Sequence, residues 1–408
     1  MKRLSLTLIF LTLCALLFSC TNAGNGADTD KETETDKTAE ASSAETEEET
    51  AADTAADDGE DEKMSRLDSY NYILGTQAFS PNYTFTDEKP LLEIAGRINE
   101  LGSNMIKFYA TDDDMADELL EKYDFEYVFM WYRSDPYFKD GYTDDEAKAD
   151  YDAFYNYTKK LLTKYNGTGK EFYLGHWEGD WYYIDDYNTA QETVSDTVTE
   201  GMIAWLNNRQ KAVDDAKHDT EHEGVEVWNY VEINRPSDIL KNDFDRVVNR
   251  VLPYTNVDYV SYSAYDVMDL HEKQVERVIK KIYEYLPEKE NVPGPRVFIG
   301  EVGQPAANQG FSGETHRDVN LANIKKFLRC DVKFVLYWQM YDNERLEDGS
   351  CRGFWLVNDK NEKQPLYYAL ERILAEGKKY VAEFLDENGR VPTNEEYRAY
   401  LLTLPEFN

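Results

Sequence analysis

Eight short runs rich in β-branched and aromatic residues alternate with longer amphipathic stretches from residue 70 onward. Strict alternation of strand and helix predicts a parallel sheet, because a parallel connection needs a crossover helix. Eight such units in one domain predict a closed (β/α)8 barrel, with an open sheet of six or seven units as the alternative. The runs are Asn71 to Phe79, Asn104 to Ala110, Tyr127 to Arg133, Glu171 to Trp181, Val225 to Asn234, Val257 to Asp266, Arg296 to Gln304 and Val332 to Tyr341.

The stretches between these runs have the helical period. A last short helix is predicted within Pro392 to Leu404, with Thr393 or Asn394 as its N-cap. The other predicted helices are Leu91 to Leu101, Ala147 to Tyr165, Asp196 to Ala216, Phe244 to Leu252, Glu272 to Leu286, Val319 to Leu328 and Pro365 to Tyr380.

Residues 1–20 resemble a bacterial lipoprotein signal peptide. Lys2 and Arg3 precede an apolar run, and the run ends in the tetrapeptide LFSC, which resembles a lipobox. The resemblance implies that Cys20 carries the lipid and becomes the mature N-terminus. An ordinary secretory signal is the alternative. In both cases we expect an extracytoplasmic protein, and with a lipobox the lipid on Cys20 alone anchors it to the outer face of a bacterial cell membrane or to the outer membrane.

Residues 21–63 form an acidic tract with almost no large apolar side chain. The tract carries 16 acidic residues against three lysines. Such a segment cannot bury enough apolar surface to offset the entropy of ordering it. The composition therefore predicts a disordered tether, followed by one folded domain at residues 64–408.

The predicted domain is itself strongly acidic. Residues 64–408 contain 64 acidic and 39 basic residues, a net charge of −25. A surface of this sign repels a phosphate backbone, and the sequence has no basic stripe to offset it. This excludes nucleic acid as an expected partner.

The predicted strands carry polar side chains at their carboxyl ends, which is where (β/α)8 barrels place their chemistry. The amino-terminal halves of the same strands are mostly apolar. This bias predicts a working face at one end of the barrel. The residues concerned are Arg133, Asp135, His176, Glu178, Asp180, Glu232, Asn234, Tyr265, Asp266, Glu301, Gln304, Trp338, Gln339 and Asp342.

Two of these residues suit paired acid and base chemistry. By side-chain alternation, Glu301 shares the predicted inward face of Val297 and Ile299, and Glu178 shares a face with His176. Two carboxyls facing each other across a barrel mouth are what glycoside hydrolysis requires, one as acid and the other as nucleophile or base. We expect His176 to support the substrate-binding residues from behind.

Tryptophans supply a second argument for a sugar cleft. Six of the seven lie in or just after the predicted strands. Flat rings bind the apolar faces of pyranoses, while Asp and Asn side chains bind the hydroxyls. The residues predicted to bind substrate in this way are Trp131, Trp177, Trp181, Trp338, Asp180 and Asn234.

Carboxylates at the ends of strands four and seven, with a tryptophan in strand eight, resemble clan A of the retaining glycoside hydrolases. The resemblance implies that Glu178 is the acid/base, Glu301 the nucleophile and Trp338 the floor of the cleaved subsite. Tyr262 or Tyr265 would match the tyrosine that hydrogen-bonds the nucleophile. We expect a monomer that acts on oligo- or polysaccharides, with no cofactor and no metal.

One position departs from the clan's pattern, in which Asn directly precedes the acid/base. Here Trp177 precedes Glu178. Either another group binds the sugar's 2-hydroxyl, or the acid lies elsewhere. Glu232 is the rival acid, although its parity differs from that of Val225 and Val227, so a β-bulge would be needed to point it inward.

Two other functions stay open at this point. A non-catalytic glycan-binding surface lipoprotein would use the same aromatic residues without paired carboxylates. A metal-dependent isomerase or lyase could use Glu178, Glu232, Asp266 and His176 as ligands, but no His-x-His or Glu-x-x-His spacing supports it.

Limited proteolysis checks the predicted boundary near residue 64. Because the acidic tract is expected to stay extended, proteases should cleave within it and leave a stable fragment that begins near residue 64. Mass spectrometry of the fragment locates the cut. Resistance of residues 21–63 to protease would contradict the tether hypothesis.

Overall fold

The computed structural model describes residue 71 and residues 73–408, so the predicted signal peptide, Cys20 and the tether lie outside the described residues. In this part of the chain, eight parallel strands pair in chain order and the last pairs with the first. The predicted (β/α)8 barrel is therefore confirmed. The strands are β1 (Leu74–Ala78), β2 (Met105–Ala110), β3 (Tyr127–Tyr132), β4 (Lys170–Gly175), β5 (Val225–Ile233), β6 (Tyr259–Ser263), β7 (Val297–Val302) and β8 (Val335–Tyr337).

Helices surround the barrel and follow most of the predicted stretches. None of the described helices combines the length and the apolar character of a membrane span. The α-helices are α1 (Pro90–Leu101), α2 (Met115–Lys122), α3 (Asp144–Lys164), α4 (Gly179–Tyr183), α5 (Asp196–Asp219), α6 (Glu272–Tyr285), α7 (Ala306–Gln309), α8 (Gly313–Leu328), α9 (Pro365–Asn388) and α10 (Asn394–Leu401).

The helix predicted over Phe244 to Leu252 is wrong. This stretch forms a single π-helical turn, Val247–Val251, followed by a 3-10 turn. The helical turn begins later than predicted because Arg246 is extended, with its guanidinium bound to Asp238 and to backbone carbonyls. It ends early because Pro253 has no N–H to donate to an α-helical bond.

The interior of the barrel is mainly aromatic, whereas most aliphatic residues of the strands face the helices. Phe129 of β3 contacts Phe298 of β7 with ring centroids 5.4 Å apart, a contact that only the lumen allows. Val297 and Ile299 instead join the outer layer beneath the helices. The predicted inward face of strand seven is therefore wrong, because alternation shows which residues share a face but not which face is inward.

A buried ion pair ties α3 to α5. Arg209 donates to Asp150 over distances of 2.6 and 3.1 Å, and both side chains are about 1% exposed. The guanidinium lies against the rings of Trp205 and Phe154 and also donates to the carbonyl of Arg133 at the end of β3. This pair therefore connects the helical layer to the working end of the barrel.

Asp150→Asn should lower the free energy of unfolding by about 3–5 kcal/mol, because it leaves the guanidinium of Arg209 buried without its counter-ion. Urea denaturation measures the change. Asp152→Asn on the same helix is the matched control, since Asp152 pairs with an exposed lysine and should lose less than about 1 kcal/mol. Equal losses in both variants would contradict the assignment.

Candidate active site

Three glutamates and one lysine meet at the carboxyl end of the barrel. The ammonium Nζ of Lys107, in β2, lies 2.8 Å from Oε2 of Glu232 and 3.5 Å from Oε1 of Glu301. Glu178 couples electrostatically to both of these carboxyls. All four side chains are buried. Sequence reasoning missed Lys107, although a lysine inside an otherwise apolar strand was a visible signal.

Glu301 reaches this cluster through an irregularity in β7. Ser261 pairs with Phe298 but Ser263 pairs with Glu301, so β7 has one extra residue between the two pairs. A Cβ on Gly300 would lie 1.9 Å from the Ser261 hydroxyl, so Gly300 faces the crowded interior. The extra residue then turns Glu301 toward the same side, where Lys107 is found.

Glu178 arrives by a different route from the predicted one. β4 ends at Gly175, and Glu178 lies three residues further on, immediately before α4. Phe172 and Leu174, which were predicted to share its inward face, pack in the outer layer. The side chain of Trp181 lowers the pKa of the Glu178 carboxyl. The loop, and not strand alternation, thus brings Glu178 to the cluster.

Glu232 points inward without a bulge, so the bulge predicted for it is wrong. It alternates with Trp228 and Tyr230, which belong to the aromatic interior. Its Oε2 accepts hydrogen bonds from Lys107, from Ser261 Oγ at 2.7 Å and from Trp131 Nε1 at 3.4 Å. Glu232 is fully buried below the other two carboxyls, a poor position for donating a proton to a ligand.

The environments of Glu301 and Glu178 differ in charge. Burial raises the pKa of both carboxyls above the ordinary value. Lys107 lowers the pKa of Glu301, as does the hydroxyl of Tyr265, which donates to Oε2 of Glu301 at 2.9 Å. By contrast, Glu301 and Glu232 raise the pKa of Glu178 further. Glu178 therefore holds its proton more firmly than Glu301 does.

Tyr265, and not Tyr262, contacts Glu301. The hydroxyl of Tyr262 donates to Asp266, and its ring is fully buried in the outer core. Tyr265 lies two residues beyond the end of β6, within the turn Ala264–Val267, and this turn places it over the barrel mouth. Of the two tyrosines that the sequence left open, Tyr265 is therefore the one that hydrogen-bonds Glu301.

Three residues predicted to bind or support substrate are engaged elsewhere. His176 packs on Trp205 of α5, and burial lowers its pKa to about 3. The side-chain oxygen of Asn234 accepts a hydrogen bond from the backbone of Asp180. The carboxylate of Asp180 accepts from three backbone N–H groups, those of Asn234, Arg235 and Val247. These contacts hold the loops after β4 and β5 in place.

The predicted tryptophans form two aromatic walls. Trp131 and Trp338 both pack on Phe79, with centroid distances of 4.1 and 5.0 Å, and their own centroids lie 6.3 Å apart. Trp131 also lies over Lys107. Nε1 of Trp338 is buried without a hydrogen-bond partner among the described residues. The half-buried Trp177 and Trp181 form the second wall, and each contacts the ring of Tyr187.

Two of the four side chains considered as metal ligands, His176 and Asp266, lie apart from the glutamate cluster. His176 packs away from the cluster, and Asp266 binds Tyr262 and the backbone of Ser237. Within residues 73–408 no group of three or more His, Cys, Asp or Glu side chains is arranged to hold a metal ion. The position among the glutamates is taken by the ammonium of Lys107.

Comparison with solved structures identifies the class of fold. A family 39 glycoside hydrolase from Xanthomonas axonopodis pv. citri is similar with a TM-score of 0.50 and 13% identity, over 76% of this chain and 67% of that one. A family 5 glycoside hydrolase from Bifidobacterium longum subsp. longum, in complex with Manβ1-4GlcNAc, gives 0.51 and 12%, over 75% and 78%. No family model and no curated protein sequence matches the chain. The fold is that of the (β/α)8 glycoside hydrolases.

Asp180→Ala should destabilise the protein by about 3 kcal/mol or more, because each buried N–H left without an acceptor costs about 1–3 kcal/mol. Thermal or urea unfolding measures the loss. Glu200→Ala on the exposed face of α5 is the control, with an expected change within about 0.5 kcal/mol. A wild-type stability for Asp180→Ala would return this residue to the set of candidate ligand-binding groups.

Proposed function

We propose that this protein is a glycoside hydrolase that cleaves oligo- or polysaccharides with retention of configuration. Glu301 is the nucleophile and Glu178 the acid/base. The observation that carries the proposal is the asymmetry of the two carboxyls. Both are buried at one barrel mouth, yet only Glu301 contacts an ammonium and a phenol. Such a difference in environment separates the carboxylate from the acid.

In the first step, Glu301 attacks the anomeric carbon as the bond to the leaving oxygen breaks. Glu178 gives its proton to that oxygen, and a covalent glycosyl-enzyme forms. In the second step, Glu178 removes a proton from water, the water oxygen attacks the same carbon, and Glu301 is released as a carboxylate. The two inversions leave the configuration unchanged.

The other side chains of the cluster bind and orient. Tyr265 and Lys107 stabilise the negative charge of Glu301 before attack and after release. The rings of Trp131 and Trp338 offer apolar surface to the sugar face. The unpartnered Nε1 of Trp338 supplies a donor for a sugar hydroxyl, in a pocket where Trp177 replaces the usual amide.

The sequence supports an extracytoplasmic site of action. We propose that the lipid on Cys20 holds the enzyme at the outer face of a bacterial membrane, and that the acidic tract tethers the barrel to it. One chain supplies both reacting carboxyls, so the proposed reaction needs no second subunit, and we propose that the enzyme acts as a monomer.

Glu301→Gln should reduce turnover to below about 0.1% of wild type while sugar binding is retained, because the amide keeps the shape but cannot attack. Glu178→Gln should slow natural glycans about 10²- to 10⁴-fold. The same variant should slow activated aryl glycosides far less, since their leaving groups depart without protonation. A glycan panel and a series of aryl glycosides provide the two measurements.

Glu226→Gln is the matched control, because Glu226 is near the opposite end of β5 and pairs with Lys217. It should behave as wild type. If Glu178→Gln keeps full activity on natural glycans while Glu232→Gln is inactive, Glu232 is the acid/base. If the wild-type protein binds glycans but cleaves none, the protein is a binding lipoprotein and the proposal is wrong.

A further inference from the structure

Two fully buried charges in the cluster neither form a bond to the sugar nor transfer a proton in the proposed steps. Lys107 in β2 and Glu232 in β5 are each 0% exposed, and their charged atoms meet at 2.8 Å. The strands β2 and β5 are not neighbours, since β3 and β4 lie between them. The ion pair therefore crosses the interior of the barrel directly below the mouth.

Both partners are held in place by neutral groups. Ser261 and Trp131 donate to the same oxygen of Glu232 that receives the lysine ammonium. Lys107 also donates to the carbonyl of Gly300 at 3.2 Å, and its ammonium lies 4.6 Å from the ring centroid of Trp131. With these contacts the ammonium has a defined position, from which it also reaches Glu301 at 3.5 Å.

We propose that Lys107 and Glu232 are positioning residues that set the pH range of the enzyme: Glu232 holds the ammonium in contact with Glu301 while taking up part of its charge. The inference rests on the proposed function. Neither residue touches the substrate. Both act through Glu301, whose orientation they fix and whose pKa they shift in opposite directions, and through the field that they impose on Glu178.

The charges around each reacting carboxyl determine whether a substitution raises or lowers its pKa. Around Glu301, burial raises the pKa, Lys107 lowers it, Glu232 raises it, Tyr265 lowers it and Glu344 raises it. Around Glu178, burial raises the pKa, Glu301 and Glu232 raise it further, and Trp181 and Lys107 lower it. Removal of Glu232 thus lowers both pKa values, whereas removal of Lys107 raises both.

The pH dependence of kcat/KM on an activated aryl glycoside and on a natural glycan tests this inference. The acid limb reports ionisation of Glu301 and should lie above the ordinary glutamate pKa of 4.5. The alkaline limb, on the natural glycan, reports loss of the Glu178 proton. Glu232→Gln should move both limbs to lower pH and Lys107→Met should move both to higher pH, by about one unit or more. Lys107→Arg keeps the charge and should retain the wild-type limbs.

A second measurement does not depend on turnover. Titration of ¹³C-labelled glutamate carboxyls by NMR gives the ionisation midpoint of Glu301, whose resonance is assigned by its loss in Glu301→Gln. The midpoint should fall in Glu232→Gln and rise in Lys107→Met. If a single variant does not fold, Lys107→Met/Glu232→Gln removes both charges together. The midpoint should rise in this double variant, because Lys107 contributes more than Glu232 to the Glu301 pKa.

The possible outcomes separate the two claims. Unchanged limbs and unchanged midpoints in Glu232→Gln and Lys107→Met would overturn the inference while the hydrolase assignment stands. Shifted midpoints in a protein without turnover would support the electrostatic role of the pair and overturn the proposed function. A uniform loss of kcat with unshifted limbs of the pH profile would mean that Lys107 and Glu232 have only a structural role.

Discussion

The one constraint on which the working end of this barrel depends is the burial of three carboxyls and one ammonium close together at the barrel mouth. Lys107 lies within 3.5 Å of two of the glutamates and beyond ion-pairing distance of the third. Buried like charges destabilise one another unless a cation or a proton compensates them. A single lysine therefore makes the three carboxyls unequal. Glu232 is paired with the ammonium, Glu301 is partly compensated by it, and Glu178 keeps its proton. Hydrolytic chemistry of the proposed kind requires this inequality.

The aromatic interior supports that arrangement from below. Rings of Phe129, Tyr173, Phe298 and Phe334 fill the lumen between β3, β4, β7 and β8, so the barrel is a packed core with no path for water from the opposite end. Glycines make the packing possible. A Cβ on Gly175 would lie 2.2 Å from the ring of Tyr230, and one on Gly300 would overlap the Ser261 hydroxyl. Close packing of this kind keeps the effective dielectric low around Lys107, which strengthens each charge interaction above it.

Several residues that looked functional in the sequence serve the scaffold. Asp180 and Asn234 follow β4 and β5, where a ligand-binding residue is expected, but each satisfies backbone groups of the other's loop. His176, one residue beyond β4, faces the helical layer because it continues the alternation that places Phe172 and Leu174 outside the lumen. The polarity of a side chain at a strand end is visible in sequence. Whether that side chain bonds backbone amides or faces an open cleft depends on how neighbouring loops pack.

The sequence by itself determined the barrel, the number of its strands and the end at which polar side chains gather. It also gave the strand limits within four residues, except that β4 ends at Gly175 and not at Trp181. It could do so because strand and helix periods and the crossover rule are local properties of the chain. Only the tertiary structure decided which face of each strand is inward, that an extra residue in β7 turns Glu301 to Lys107, and that Tyr265 and not Tyr262 meets the carboxylate. These results depend on contacts between residues far apart in the chain, from Lys107 to Glu301. No local period encodes them, because the inward face follows from which side chains fill the lumen together.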